Sequence, residues 1–430
     1  MSLKSLFLFV TLCCVASLSP AKGESFTVAD ENSEYKGWVF EKNEDGTYNL
    51  TYVPSDYSPV GGELVIPGSV EVDGTTIVVS GVMSNDTTGI VGHISEGVFS
   101  SNPNIKSITI NKGVKTIGSS AFAYCTYLES VKFESGSQVE AVGDYAFNGC
   151  RNLKSIKLPE GVTHIGQSSF AQCESIKSLS LPSSLVEIGS CAFQWCKGLT
   201  NVALPSNLEK IGSYAFGQCV ELKSITIPGS VSVIGQYAFQ YCYALASVTI
   251  EDSETNTSRV IEQGAFNQTS ISSIYVPGSV SVIERNAFEH CNNLSTVVIG
   301  DGVDEIQSNA FGGCGSLSDV KFEAKSNPPS IAEGAFTDWR ISNGNVTVTV
   351  PDDADYSIDL KDGTLDVVKK SEPTDPTEPS NPTSISGQAT MPSSPAAFYS
   401  LSGARLDAPK RGSIVIAVFS DGSSRKVVAM

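Results

Sequence analysis

The stretch "IGSYAFGQCVELKSITIP", Ile211–Pro228, is followed at Ile234 by "IGQYAFQYCYALASVTI", which is nearly the same sequence. Eleven copies of this pattern occur at steps of 22–27 residues. A nearly constant step of this size predicts a solenoid in which each copy forms one turn and stacks on the next. One phenylalanine marks each copy: Phe99, Phe122, Phe147, Phe170, Phe193, Phe216, Phe239, Phe266, Phe288, Phe311 and Phe336.

The parts of the unit I-x-x-I-G-x-x-A-F-x-x-C-x-x-L-x-x-V-x-L-P predict its local structure. Its end, L-x-x-V-x-L-P, predicts a short strand that stops at proline, because proline cannot donate to a strand ladder. These strands are expected to stack into one parallel sheet. The glycine of I-G is expected to permit a tight turn. The Ala-Phe pair is expected to begin a short helical or irregular segment that places phenylalanine in the core.

Cysteine occurs three residues after phenylalanine in eight copies. A redox or metal site would need a C-x-x-C pair or a matching set of histidines, and neither is present. The pattern therefore favours a buried ladder of small, soft side chains. The eight cysteines are Cys125, Cys150, Cys173, Cys196, Cys219, Cys242, Cys291 and Cys314. Cys191 lies outside this ladder, and a local disulfide with Cys196 remains an alternative.

From about Gly61 to Val350, the unit resembles the BspA-type leucine-rich repeat, also called the Treponema pallidum type. The resemblance implies a leucine-rich-repeat solenoid with a parallel β-sheet on one face and short helical or irregular segments on the other. It also implies a surface or secreted protein of a bacterium or protozoan parasite. Members of this family are linked to adhesion to host proteins and other cells.

The chain outside the repeats divides into several predicted segments. Residues 1–23 predict a secretory signal peptide, with a lipoprotein anchored through Cys13 or Cys14 as the alternative. Residues 24–80 predict a β-rich cap with hairpin turns at Asp45-Gly46 and Asp73-Gly74. The solenoid is predicted over 81–350 and a closing strand region over 351–370. No later apolar stretch is long enough to predict a transmembrane span.

A change of composition marks the C-terminal end. Residues 371–395 are rich in Pro, Ser and Thr and predict an extended linker. Residues 396–430 predict a small β module with a turn at Asp421-Gly422. Its "YSLSGARL" and "SDGSSRKVV" stretches and Pro409–Gly412 resemble the C-terminal sorting signal of the type IX secretion system of Bacteroidota. That resemblance implies export and retention at the bacterial cell surface.

Composition and motifs favour a binding protein over an enzyme. The net charge of −18 disfavours nucleic acid as a partner. His93, His164 and His290 lie in different copies, and His290 beside Cys291 is interpreted as a solvated side chain. The acidic stretch 351–357 lacks Ca²⁺-loop spacing and is interpreted as a solvated turn. No catalytic or cofactor motif is present, so no catalytic residue, metal or cofactor is predicted. Six N-x-S/T sequons are interpreted as chance occurrences.

The exposed positions of the strand template predict the binding surface. Seven lysines against Glu129 and Asp319 occupy these positions, which gives this face a positive charge. The first four strands contribute the five lysines that form the candidate binding site: Lys106, Lys132, Lys154, Lys157 and Lys177. An acidic partner is expected there, although lysine and serine could simply keep an exposed sheet soluble. A second candidate surface carries Tyr124, Trp195, Tyr241 and Tyr243, which we interpret mainly as a cover for the phenylalanine core.

Together these patterns predict a secreted or cell-surface binding protein. The leading function is adhesion to host proteins or other cells, with an extracellular protein or an acidic glycan as the partner. The first alternative is glycan capture for a nutrient-uptake system. The second alternative, an enzyme, would require carboxylates from different copies to meet.

Overall fold

A computed structural model describes residues 10–11, 25–28, 33–72, 75–82, 97–255, 258–337, 346–361, 364–370, 397–399, 405–406, 414–418 and 424–428. The chain forms two compact units, Met1–Lys370 and Ser371–Met430. The first unit is a β-solenoid of about ten turns, which confirms the predicted fold class. Several predicted features lie outside the described residues. They are the signal peptide apart from residues 10–11, the turns at Asp73-Gly74 and Asp421-Gly422, His93 and the linker. The predicted domain boundaries stay predictions.

Each turn of the solenoid contributes two strands rather than one. The strand that ends just before the glycine of I-G belongs to a long sheet, in which neighbouring copies pair in parallel. Its repeat strands are β9 (Thr116–Ile117), β11 (Ala141–Val142), β13 (His164–Ile165), β15 (Glu187–Ile188), β17 (Lys210–Ile211), β19 (Val233–Ile234), β21 (Arg259–Ile261), β23 (Val280–Ile283), β25 (Glu305–Ile306) and β27 (Ser330–Ile331).

The predicted L-x-x-V-x-L strands are also present and parallel, and their exposed side chains form what we call the strand face. These strands are β8 (Ser107–Ile110), β10 (Ser130–Phe133), β12 (Ser155–Lys157), β14 (Ser178–Ser180), β16 (Asn201–Val202), β18 (Ser224–Ile227), β20 (Ser247–Ile250), β22 (Ser273–Val276), β24 (Thr296–Ile299), β26 (Asp319–Phe322) and β28 (Thr347–Thr349). They form four separate sheets instead of one, because pairing is interrupted between β10 and β12, β16 and β18, and β20 and β22.

The glycine of I-G begins a tight turn, as expected, because its carbonyl accepts from the N–H three residues later, as from Ala146 to Gly143 and from Ala215 to Gly212. It also allows neighbouring turns to pack closely. A Cβ atom on Gly166 would lie 2.6 Å from the carbonyl carbon of Gly143, and one on Gly212 would lie equally close to that of Gly189. These glycines are absent from the positions with positive φ. Backbone therefore packs directly on backbone, and any side chain here would push two turns apart.

The Ala-Phe segment is irregular rather than helical. The N–H groups of Ala121, Ala123 and Cys125 each donate to the carbonyl three residues earlier in the same copy. Those of Phe122 and Tyr124 donate instead to carbonyls of the next copy. An α-helix would bond every N–H within its own segment, so this alternation prevents a helix and ties each copy to the next. The 3₁₀ turn Val60–Gly62 is the only helical element in the described part of the chain.

The core is a single stack of phenylalanine rings. All eleven rings are stacked, with successive centroids 4.8–5.4 Å apart and interplanar angles of 0–14°. Trp38 covers the N-terminal end, with its ring 5.6 Å from that of Phe99 at an angle of 68°. Trp38 is fully buried, so the first ring of the stack is shielded from water.

The 27-residue copy is held by one buried arginine that the repeat pattern does not predict. Arg259 is 2 % exposed. Its Nε donates to Val231 O at 2.7 Å and its Nη2 donates to Pro228 O at 3.2 Å. Its Nη1 donates to Glu251 O and to Ser279 Oγ. The guanidinium thus fixes the backbone on both sides of the inserted residues.

Short strands cover both ends of the repeats. On the N-terminal side are β1 (Val10–Thr11), β2 (Ser25–Val28), β3 (Val39–Lys42), β4 (Tyr48–Tyr52), β5 (Glu63–Ile66), β6 (Ser69–Val72) and β7 (Thr75–Val82). Strands β3 and β4 form the hairpin predicted at Asp45-Gly46. On the C-terminal side, β29 (Tyr356–Lys361) pairs with β30 (Thr364–Lys369) in an antiparallel hairpin.

The second unit is a separate small sheet. Its four strands are β31 (Ala397–Tyr399), β32 (Arg405–Leu406), β33 (Ile414–Val418) and β34 (Ser424–Val428). They pair antiparallel in the order β32-β31-β33-β34.

Candidate binding face and groove

The five lysines of the candidate site are all exposed, and they fall into two files along the strand face. Lys106, Lys154 and Lys177 form the first file together with Glu129. Backbone hydrogen bonds link its members in order: Glu129 N to Lys106 O, Lys154 N to Glu129 O, and Lys177 N to Lys154 O. Lys132 and Lys157 lie in the second file, on strands β10 and β12.

The first file is partly neutralised by its own carboxylate. The Lys154 ammonium forms an ion pair with Glu129. The hydrogen bond from Lys154 lowers the pKa of Glu129, and the charges of Lys154 and Lys106 lower it further. Both partners are exposed, so this pair contributes little to stability. The pair lowers the net positive charge of the first file, because Lys106 and Lys154 share Glu129 as an acidic neighbour.

The second file lines a groove of about 720 Å³ beside the ends of β10, β12 and β14. Lys132 and Lys157, 25 residues apart in the sequence, both contribute to its walls. Phe133, Leu158 and Leu181 add apolar surface. The other lining residues are Val131, Glu134, Ser135, Gly136, Ser137, Pro159, Glu160, Ser180 and Pro182. A groove with two ammonium groups beside apolar side chains suits an acidic group on an otherwise apolar ligand.

The groove lies beside an irregularity of the repeat. The copy that contains β10 has two more residues between its face strand and its long-sheet strand than the next copy. The bond from Lys154 N to Glu129 O joins the starts of β10 and β12 at 3.2 Å, but no ladder pair follows it. The longer turn is held by the bond from Lys112 N to Glu134 Oε2, at 2.8 Å. The signal for this groove in the sequence was the step of 25 residues between Phe122 and Phe147.

The carboxylates around the groove are already engaged. Glu134 accepts from a backbone N–H, and Glu160 Oε2 accepts from Ser183 N at 3.1 Å and Ser183 Oγ at 2.9 Å. In the described ranges, neither Lys132 nor Lys157 has an ion-pair partner. The walls of the groove therefore carry two lysines without ion-pair partners, beside two carboxylates that are held by hydrogen bonds.

The cysteine ladder is buried, as predicted, and each thiol also forms a hydrogen bond that the sequence did not reveal. Each Sγ donates to the carbonyl of the phenylalanine in the preceding copy at 3.1–3.3 Å, as from Cys219 to Phe193 O and from Cys242 to Phe216 O. Burial raises the pKa of Cys125, Cys196 and Cys242 to about 12. The ladder therefore consists of neutral thiols that tie one copy to the next.

Two further interpretations concern single cysteines. Cys191 and Cys196 are both free thiols, so the alternative of a local disulfide is wrong for this structure. The Cys291 thiol contacts Thr269 Oγ1 at 3.2 Å and donates to Phe266 O, so it is engaged inside the core. Burial raises the pKa of Cys291 to about 11, which makes this thiol a poor nucleophile at neutral pH.

The remaining motifs carry ordinary structural contacts. His164 Nδ1 lies 2.8 Å from Thr163 Oγ1, and no histidine of the described residues joins a metal-binding cluster. In the acidic stretch 351–357, Asp353 Oδ2 is paired with Lys325 Nζ at 2.7 Å, consistent with the predicted solvated turn. The described residues contain no helix that could span a membrane.

Comparison with known families gives one decisive match. Residues 92–193, 163–295 and 259–353 match the family described as "BspA type Leucine rich repeat region", in six copies. These residues make up more than half of the chain. The chain belongs to the BspA-type leucine-rich repeat family. Membership supports a protein-binding surface protein rather than an enzyme. No curated protein matches the chain.

One solved structure agrees on the fold, and two others are less similar. A leucine-rich repeat protein from Bacteroides ovatus ATCC 8483 is 23 % identical, with 74 % of this chain and 76 % of that chain covered and a TM-score of 0.53. The pneumococcal vaccine antigen PcpA is 18 % identical, with coverage of 73 % and 97 % and a TM-score of 0.36. The leucine-rich repeat protein of T. pallidum is 18 % identical, with coverage of 65 % and 86 % and a TM-score of 0.27. Only the first similarity is close enough to compare architectures.

Proposed function

We propose that this BspA-type leucine-rich repeat protein is an adhesin that binds an acidic segment of an extracellular host or cell-surface protein. The groove between β10 and β12 is the binding site in this proposal. Lys132 and Lys157 receive carboxylates, and Phe133, Leu158 and Leu181 contact neighbouring apolar side chains. The observation that carries the proposal is the pair of ammonium groups, both without an ion-pair partner in the described chain, on the walls of a groove of about 720 Å³.

The rest of the strand face supports this site. Lys106, Lys154 and Lys177 extend the positive charge across neighbouring copies, while the whole chain carries −18. A local positive region on an acidic protein orients an acidic partner during approach, and salt screens that attraction. Binding through the groove is therefore expected to weaken as ionic strength rises.

The first test is a binding screen of the full secreted chain against extracellular-matrix proteins, serum proteins and acidic glycans. We expect Lys132→Ser/Lys157→Ser to weaken binding of an acidic protein by roughly tenfold or more, because each ion pair formed with the partner contributes on the order of 1 kcal/mol at a partly desolvated site. Surface plasmon resonance at two salt concentrations measures the effect.

The control is Lys223→Ser/Lys321→Ser, which removes the same charge from the same face outside the groove. If both double variants weaken binding equally, net charge rather than the groove recognises the partner. Binding of acidic glycans but of no protein would replace the proposed partner class. Unchanged binding by the groove variant would overturn the groove as the site.

Location is a separate part of the proposal. We propose that residues 1–23 direct secretion and that the C-terminal unit, Ser371–Met430, retains the protein at the cell surface. The sequence resemblance of its β module to a sorting signal supports this role. A chain that stops after Lys370 should be released to the medium or retained in the periplasm, which fractionation of a Bacteroidota host would measure.

A further inference from the structure

A column of turn residues presents aromatic rings at every second copy. The residue two positions after each core phenylalanine alternates between glutamine and an aromatic residue in five successive copies: Gln172, Trp195, Gln218, Tyr241 and Gln268. We call this set the turn column. All five residues have φ between 56° and 64°, so their backbone geometry is the same. Hydrogen bonds such as those from Trp195 N to Gly217 O and from Gln218 N to Gln240 O fix each one against the next copy.

The copies are evenly spaced along this column. The core rings of the copies with Trp195, Gln218 and Tyr241 are 5.4 Å and 5.3 Å apart. Trp195 and Tyr241 therefore lie two copies apart, or roughly 10 Å, about twice the usual spacing of paired strands. Trp195 is 38 % exposed, and Tyr243, whose ring lies 5.8 Å from that of Tyr241, is 55 % exposed. The column thus places one exposed ring, Trp195, and one half-buried ring, Tyr241, two copies apart.

Amide groups accompany these rings. Gln194 and Gln240 immediately precede the two aromatic residues, and Gln218 lies between them. Within the described chain, the side chains of Gln194 and Gln218 have no hydrogen-bond partner, so their amides can bond a ligand. Each amide supplies both a donor and an acceptor, which matches a ligand covered with hydroxyl groups.

Charge is balanced beside the column. Lys197 Nζ lies 5.4 Å from the centroid of the Trp195 ring and 3.3 Å from Glu174 Oε2. The cation and its carboxylate compensate each other, and the indole is held by the ammonium. The five column residues themselves carry no charge. This part of the surface therefore has no electrostatic preference for an acidic ligand, in contrast to the groove.

We propose that the turn column binds an extended, neutral, β-linked polysaccharide. Rings stack on the apolar faces of sugar rings, and glutamine amides bond the hydroxyls between them. In a fully extended β-linked glycan, sugar orientation alternates, so the same face recurs once per disaccharide. One disaccharide is about as long as two copies of this solenoid, which places equivalent faces over Trp195 and Tyr241. A helical α-linked glycan would lose this register after one ring.

The test uses the full secreted chain with hexasaccharides of β-1,4-linked glucose, mannose and xylose, and with α-1,4-linked glucohexaose as the comparison. Trp195→Gln/Tyr241→Gln is the decisive variant, because glutamine already occupies this position with positive φ in the neighbouring copies. At least one β-linked ligand should bind, and the variant should bind it at least about tenfold more weakly. Isothermal titration calorimetry measures both affinities.

Two controls separate this site from other surfaces. Tyr127→Gln removes an exposed tyrosine outside the column and should leave glycan affinity unchanged. Lys132→Ser/Lys157→Ser should also leave it unchanged, since the groove is a different site. The proposal is overturned if no β-linked hexasaccharide binds, if the α-linked one binds equally well, or if the decisive variant retains full affinity.

Discussion

At the scale of single residues, the turn backbone stores strain that the stacking of copies offsets. Non-glycine residues such as Tyr145, Trp195 and Asn309 have φ between 55° and 64°, a conformation that costs about 1 kcal/mol each for an L-residue. The N–H of each donates to a carbonyl of the next copy. An isolated copy would lack that bond, so these turns are expected to form only together with their neighbours.

The thiol ladder predicts alkaline sensitivity. Burial raises the pKa of the ladder thiols above their unfolded value, to about 12 for Cys242. Above the unfolded pKa of about 8.5, the unfolded chain loses protons that the folded chain keeps. Stability is therefore fully present below about pH 8.5 and falls as pH rises toward 12, by up to about 1.4 kcal/mol per thiol and pH unit. Urea unfolding between pH 7 and 11 measures this slope.

A matched variant isolates the thiols from other alkaline groups. Cys173→Ala/Cys219→Ala should be less stable at neutral pH, because it leaves two small cavities and removes one of the two donors from each of the carbonyls of Phe147 and Phe193. Its loss of stability per pH unit should nevertheless be smaller than that of the parent. An identical slope in both proteins would show that the ladder thiols do not titrate on unfolding.

At the scale of elements, we expect the groove to depend on the length of one turn. Deleting Ser137 and Gln138 gives this copy the length of the next, with Gly136 in the place of Gly161. We expect β10 and β12 to pair, which closes the groove and weakens binding of the acidic partner by at least roughly tenfold. Thermal stability should stay equal or rise, since a shorter turn costs less closure entropy.

Calorimetry and the binding assay check this prediction together. Deletion of Ser253 and Glu254, which lie in the bulge before Arg259, is the matched control, because it shortens another long copy. That control should leave partner binding unchanged. A shortened Ser137–Gln138 turn that still binds at full affinity would place recognition on the exposed lysines rather than in the groove.

The sequence predicted some elements well and others poorly, for physical reasons. The spacing of the phenylalanines predicted where each copy lies. The L-x-x-V-x-L pattern predicted the strands of the strand face, because alternation of apolar and polar residues over four positions indicates a strand. Strands such as Thr116–Ile117 have only two residues, too few for a period to appear. The exposure of the five lysines could be predicted, because they occupy the outward-facing positions of the strand pattern. The groove could not be predicted from the sequence, because it depends on which neighbouring strands fail to pair.

At the scale of the whole molecule, each copy contacts only its neighbours, so position along the stack sets the effect of a core mutation. Phe216 stacks on both Phe193 and Phe239, whereas Phe336 stacks on Phe311 alone in the described chain. Phe216→Ala should cost about 3–5 kcal/mol of unfolding free energy, and Phe336→Ala should cost less. Urea denaturation followed by circular dichroism compares the two variants. Equal losses would contradict a nearest-neighbour stack.

The even rise of the core has a consequence for how such a chain can change over time. The copy with 27 residues still places the rings of Phe239 and Phe266 only 5.2 Å apart, and Arg259 holds the described backbone on both sides of its extra residues. An insertion within a copy therefore leaves the spacing of the phenylalanine rings unchanged. Gain or loss of a whole copy lengthens or shortens the solenoid by one such spacing. Recombination can therefore change the length of the solenoid, while the spacing between the remaining copies stays the same.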